Sequence, residues 1–181
     1  ARDACPRQAH KLWARAAEDE ARGRRLPAGE KYGRAATYLI TCERRQAHSA
    51  PARLELYRRF LDVFAKGVTL ARENCERVEI SYEGAHIAGL LVRAEGVEGP
   101  APLLVQVNGL DSTKEMKYRV GLPAWLAKRG VSSLVIDQPG SGEALRLHGL
   151  KARYDSEHWA SRVVDWLETR ADVDPRRIGL E

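Results

Sequence analysis

The sequence predicts an α/β fold: the first part of a sheet, entered through an antiparallel hairpin and continued by parallel strands, behind an all-helical region. Three observations carry this. Through residues 1–75 apolar side chains recur at helical spacing and no stretch alternates. After Cys75 the pattern changes, and Val78–Glu79–Ile80–Ser81–Tyr82 alternates with period two. Farther on, Leu103–Val107 and Val131–Ile136 run nearly uninterrupted in apolar residues, as strands covered on both faces do.

In chain order, Pro6–Arg22 is rich in Ala, Glu and Arg and reads as a first helix. RLPAGEK separates it from a second, Tyr32–Arg45, with Tyr32, Ala35, Ala36, Leu39 and Ile40 on one face. HSAP comes next, and Pro51 opens a third helix because a first-turn proline forfeits no hydrogen bond. Its predicted stripe is Leu54, Tyr57, Leu61, Phe64 and Val68. The second region, 76–181, begins with a hairpin turning at Glu83–Gly84–Ala85, followed by His86–Arg93 and a GVEGPAP loop. A helix over Glu115–Arg129, kinked or restarted at Pro123, joins the two apolar strands. Ser156 is the predicted N-cap of a helix to Arg170 that covers the sheet with Ala160, Val163, Val164 and Leu167. DVDPRR then turns the chain into a last strand, Ile178–Gly179–Leu180.

Composition narrows the classes. Among 181 residues, 44% hydrophobic and 30% charged is the balance of a folded chain. No stretch reaches the roughly 18 apolar residues of a membrane span, and the N-terminus lacks the apolar core of a secretory leader. The net charge of +5 is unevenly spread, since residues 1–60 carry 14 Lys/Arg against 7 Asp/Glu. Those basic clusters are short, interrupted by acids and not interleaved with aromatics, so no nucleic-acid partner is predicted. Cys5, Cys42 and Cys75 lie far apart with no CxxC pair, which predicts neither a disulfide framework nor a zinc site and makes a reducing, cytoplasmic setting the default. His10, His48, His86, His148 and His158 show no HxxxH or HxH spacing, so no metal site is predicted.

Ligands of open α/β sheets bind beyond the carboxyl ends of the strands, which singles out two loops. In Asn108–Gly109–Leu110–Asp111–Ser112–Thr113–Lys114, a glycine after a buried strand would turn the backbone sharply and free N–H groups for a developing oxyanion. An ordinary turn in which Asp111 or Ser112 caps the next helix fits equally well. In Asp137–Gln138–Pro139–Gly140–Ser141–Gly142–Glu143, Gly140 and Gly142 permit a tight turn, but neither GxGxxG nor a Walker lysine is present. Asp137 and Glu143 are suited to acid–base work or to holding loops, and neither Ser112 nor Ser141 sits in GxSxG.

Together with Asp172–Val173–Asp174–Pro175–Arg176–Arg177–Ile178–Gly179–Leu180, these two loops resemble the α/β-hydrolases of the dienelactone-hydrolase-like and prolyl-oligopeptidase-like group. GLDSTKE, DQPGSGE and the helical front are more narrowly similar to 2,6-dihydroxypseudooxynicotine hydrolase and its polyketide-shortening fungal relatives. The resemblance implies a serine-dependent hydrolase that cleaves a C–C bond next to a ketone, in a 1,3-diketone or acylated aromatic, with esterase chemistry or a non-catalytic binding protein as alternatives. It implies that the DPxRIGL strand runs into the nucleophile elbow, so that serine, acid and histidine are expected beyond Glu181, in the same or a separate chain. It makes the backbone N–H of Leu110, or of Asp111, the candidate oxyanion-hole donor, with Gly109, Asp137, Gly140, Gly142 and Glu143 as supports of the cleft. It further implies helices that wall the cleft, a small carbonyl substrate, a homodimer, and no cofactor or metal.

Overall fold

A computed structural model describes residues 4–47 and 49–181. The leader reading at residues 1–3 and the position of His48 lie outside them. The chain divides into two compact units, Ala1–Glu73 and Asn74–Glu181.

The first unit is built of α1 (Ala4–Ala21), α2 (Arg25–Arg44) and α3 (Pro51–Ala71). The expected RLPAGEK separator is instead the first turn of α2, which tolerates Pro27 because N–H groups there have no helical acceptor. The connector shrinks to Arg22–Arg24, with Gly23 at φ +72. Gly29 does not break the helix either. A Cβ there would lie 2.6 Å from Ala71 N and 2.8 Å from Gly67 O, so Gly29 and Gly67 let α2 and α3 approach backbone to backbone. Of the predicted stripe of α3, Tyr57, Phe64 and Val68 are buried, joined by Phe60, Val63 and Gly67, while Leu54 and Leu61 sit at its half-buried margin. Cys42 is disulfide-bonded, against the expectation from spacing. Spacing along the chain does not report proximity in space, and the cysteine argument for a reducing compartment lapses.

In the second unit, β1 (Glu76–Tyr82) and β2 (Ala85–Val92) form the predicted hairpin. Its turn takes Glu83 to φ +46 and Gly84 to φ +74, the left-handed pair that suits the twist of a two-residue loop. With β3 (Ala101–Gln106), β4 (Ser132–Ile136) and β5 (Val173–Leu180), the described residues form one sheet in the order β1-β2-β4-β3-β5. β2 runs antiparallel to β4, whereas β3 lies parallel to both β4 and β5. Every residue of β4 is buried, which explains its unbroken apolar run. β5 starts at Val173, within the expected DVDPRR turn, because a register shift opposite Ala101/Leu103 absorbs the proline-containing segment.

The helix predicted across Glu115–Arg129 is two, α4 (Lys114–Arg119) and α5 (Leu122–Ala127). The break falls at Gly121, φ +95, leaving Pro123 in the first turn of α5. Thr113, not Asp111 or Ser112, caps α4, its Oγ1 accepting from Met116 N at 3.3 Å. A short α6 (Gly142–Arg146) was not legible in the sequence. α7 (Glu157–Glu168) follows without a side-chain cap from Ser156, and buries Trp159, Val163 and Leu167 while Val164 faces outward. Among the described residues no helix is long and apolar enough to cross a membrane.

Candidate functional site

The carboxyl ends of β3 and β4 are joined by side chains. Asn108, just past β3, is buried, and Gln138, just past β4, grips its backbone from both sides. Gln138 Oε1 accepts from Asn108 N at 3.0 Å, and Gln138 Nε2 donates to Asn108 O. Asp137, fully buried, collects the rest. Its Oδ1 accepts from Asn108 Nδ2 and from Lys114 N, both at 2.7 Å. Its Oδ2 accepts from Lys114 Nζ at 3.0 Å and from Glu143 N at 2.9 Å. One carboxylate thereby ties the end of β3, the start of α4 and the start of α6 to the end of β4.

Beneath the loops lies a buried charge cluster. Lys114 has no exposed side-chain surface, and its Nζ lies 2.8 Å from Glu115 Oε1, 3.0 Å from Asp137 Oδ2 and 2.7 Å from Glu143 Oε2. Arg77, from β1, adds a two-pronged contact to Glu143, with Nη1 2.8 Å from Oε2 and Nη2 2.7 Å from Oε1. Burial alone would raise the Glu143 pKa, but Arg77 and Lys114 bring it down to about 2. Burial pulls Lys114 the other way, and the three carboxylates outweigh it and hold the ammonium protonated. Glu115, fully desolvated with Lys114 as its counter-ion, is displaced upward by burial. Glu115, Asp137 and Glu143 crowd together as metal ligands would, but Lys114 Nζ already sits among their oxygens.

The glycines of the second loop serve this close packing. A Cβ on Gly142 (φ +40) would fall 2.0–2.1 Å from the carboxylate of Asp137, and one on Gly140 (φ +92) would fall 2.5 Å from Ala152 Cβ. Gly109 differs from its expected role. Its φ is outside the left-handed region, and a Cβ there would meet nothing within 4 Å. The sharp turn is made instead by Gly109–Ser112, closed by Ser112 N to Gly109 O at 3.1 Å. Leu110, 76% exposed, and Asp111 stand at its tip, and among the described residues their N–H groups have no acceptor.

The strand end that precedes the turn has a defined neighbour. Glu181 N donates to Val105 O at 2.9 Å and Val107 N donates to Glu181 O at 3.0 Å, so the parallel ladder reaches the level at which β3 gives way to Asn108. Lys117 Nζ donates to Val107 O at 2.9 Å and lies 3.1 Å from Glu181 Oε2. The structure thus groups Asp137, Gly142 and Glu143 in one buried cluster, packs Gly140 on Ala152, and leaves Gly109, Leu110 and Asp111 on an exposed turn above. Sequence reasoning missed Arg77, Asn108, Lys114, Glu115 and Gln138. The one available signal was Thr113–Lys114–Glu115 following an apolar strand, which reads as an exposed first helical turn unless burial is known.

Residues 47–180 match the esterase FrsA-like family. The chain is 31% identical over 187 residues to 20-hydroxy-prefusarin hydrolase FUS2 of Gibberella moniliformis, covering 96% of this chain and 43% of that protein. It is 30% identical over 145 residues to 2,6-dihydropseudooxynicotine hydrolase of Paenarthrobacter nicotinovorans, covering 80% and 36% respectively. The crystal structure of a 2,6-dihydroxy-pseudo-oxynicotine hydrolase superposes with a TM-score of 0.82 at 26% identity, over 99% of this chain and 49% of the other. The chain therefore spans less than half the length of these relatives.

Proposed function

We propose a function from one premise: the chain belongs to the FrsA-like esterase family. It forms the front part of a serine-dependent hydrolase that cleaves a C–C bond next to a ketone, with nucleophile, acid and histidine contributed by a segment following Glu181. The serine Oγ adds to the carbonyl carbon, and the N–H of Leu110, or else of Asp111, stabilises the oxyanion. Collapse breaks the C–C bond, and its electron pair leaves on a carbon whose charge a second carbonyl or a phenol ring delocalises. That carbanion takes up a proton, and water then releases the acyl group from the serine. The supporting observation is the acceptor-free pair of N–H groups on a turn clamped at both ends, beside the last rung of the β3–β5 ladder.

The protein that carries this chain, assayed on an aryl 1,3-diketone, is expected to release a carboxylic acid and a methyl ketone. A fluorophosphonate should label one serine and abolish that turnover. Hydrolysis of the matching ester alone would favour the esterase reading on the same machinery, and absence of both label and turnover would sink the proposal.

A further inference from the structure

Two histidines that lie 62 positions apart meet on the open face of the hairpin. His86 is the second residue of β2, paired with Ser81, and therefore shares a sheet face with Arg77 and Glu79 of β1. His148 follows α6, the helix that Glu143 opens. The two rings stand edge to face with centroids 4.1 Å apart. His86 Nε2 lies 3.6 Å from Glu143 Oε1 and 3.5 Å from Glu79 Oε1, and His148 Nε2 lies 3.9 Å from the same Glu143 oxygen. Both Nε2 atoms are buried and make no hydrogen bond. A buried ring nitrogen without a partner is destabilising, so two of them converging on one carboxylate oxygen need a reason.

We propose that His86, His148 and Glu143 form a binding site for a divalent transition metal, of the two-imidazole, one-carboxylate kind that takes zinc or cobalt. The donor atoms all lie within 4.8 Å of one another. Ligands about 2.1 Å from a shared metal stand roughly 3.4 Å apart in a tetrahedron, close to the 3.6 and 3.9 Å that separate the two Nε2 atoms from Glu143 Oε1. Glu143 Oε1 keeps a lone pair for the metal while Arg77 Nη2 occupies the other, and Lys114 holds Oε2. That is the outer support a ligating carboxylate ordinarily has.

Charge decides whether a cation is tolerated beside Arg77. Four carboxylates, Glu79, Glu115, Asp137 and Glu143, surround two fixed cations, Arg77 and Lys114. A dication offsets the excess. Imidazole donors select against magnesium and calcium. Bound metal would cross-link the β1–β2 hairpin to α6, and through Glu143 to the loop cluster. The inference does not depend on the hydrolase reading.

Chelator-stripped protein, titrated with Co²⁺ at neutral pH, should develop the visible absorption of a nitrogen-ligated site at one equivalent. Zn²⁺ should displace it and millimolar Mg²⁺ should not. His86→Ala and His148→Ala should each weaken Zn²⁺ binding by at least about 100-fold, since even outer-shell losses reach that range. His10→Ala and His158→Ala, at exposed positions, should leave it unchanged. Should a variant lose its circular dichroism signature, imidazole ¹⁵N shifts of the unaltered protein read the same question: zinc should move His86 and His148 together. No binding at millimolar Zn²⁺, binding that survives the double substitution, or zinc that leaves both imidazoles unmoved would overturn the site.

Discussion

The two units spend their charges differently. In the helical unit, Asp19 pairs with Lys31 and Arg24, and Glu20 lies 2.7 Å from Lys66, with cations that remain a third or more exposed. Glu43–Arg53, at 2.6 Å, is a buried exception. The structural work there is done by apolar stripes and by the close approach at Gly29 and Gly67. In the α/β unit, Lys114, Asp137, Glu115 and Glu143 are withdrawn from water and bonded across four elements. Identical residue types thus decorate a surface in one unit and set loop geometry in the other. Burial separates the two roles, and sequence does not encode it locally.

The sharpest way to break that comparison is to remove one cation from each unit. Lys114→Met strands buried carboxylates and should cost about 3–5 kcal/mol, whereas Lys31→Met, a partly exposed partner, should cost less than about 1 kcal/mol. Urea unfolding followed by fluorescence measures both, and equal costs would refute the distinction. Acid titration gives the next largest effect. Glu143 has a folded pKa of about 2 against 4.5 for the free side chain, so the unfolded chain takes up the proton first as pH falls. Its stabilisation is fully present above pH 4.5 and is lost toward pH 2, roughly 3 kcal/mol in all. Glu115, displaced upward, acts in the opposite sense. The difference between the native protein and Glu143→Gln, taken across that window, therefore isolates the Glu143 contribution. A variant that keeps the same acid slope would show that Arg77 and Lys114 do not hold Glu143 ionised.

How much was legible follows the same line. The apolar runs of β3 and β4 and the alternation of β1 report local environment directly, and the α/β order could be read from them. Loops at the strand ends were legible as places. Their contents were not, because Arg77 reaches Glu143 across 66 positions and Gln138 reaches Asn108 across 30. His86 and His148 show no ligand spacing along the chain, and spacing reports only neighbours within one helix or strand, so their meeting was not legible. The helix boundary error at Pro27 arises because proline in a first turn does not stop a helix, whereas the restart expected at Pro123 is found, with the break itself at Gly121 and its positive φ.

Glycines sharpen the comparison within the site itself. Gly142→Ala drives a Cβ into the Asp137 carboxylate from a positive φ and should cost about 1–3 kcal/mol in thermal or urea unfolding. Gly109→Ala, with open space and no positive φ, should stay within about 0.5 kcal/mol. If Gly109→Ala proves as damaging as Gly142→Ala, the turn depends on glycine in a way this geometry does not show.

A modest expected effect on stability is the most informative about the loop. Gln138→Ala removes both bonds to the Asn108 backbone at a cost of about 1–2 kcal/mol. Hydrogen exchange at the Asn108 amide should accelerate about tenfold for each 1.4 kcal/mol of protection lost. The Leu110 and Asp111 amides, which have no acceptor to lose, should exchange as before. Gln138→Glu keeps the acceptor for Asn108 N but no longer donates to Asn108 O, and should fall between the two. The proposed oxyanion-hole role of Leu110 or Asp111 predicts that Gln138→Ala, by loosening the clamp beneath the turn, should lower kcat while leaving KM near its original value. A variant that loses stability yet keeps kcat would make the clamp a fastening of β3 to β4, with no bearing on the turn above it.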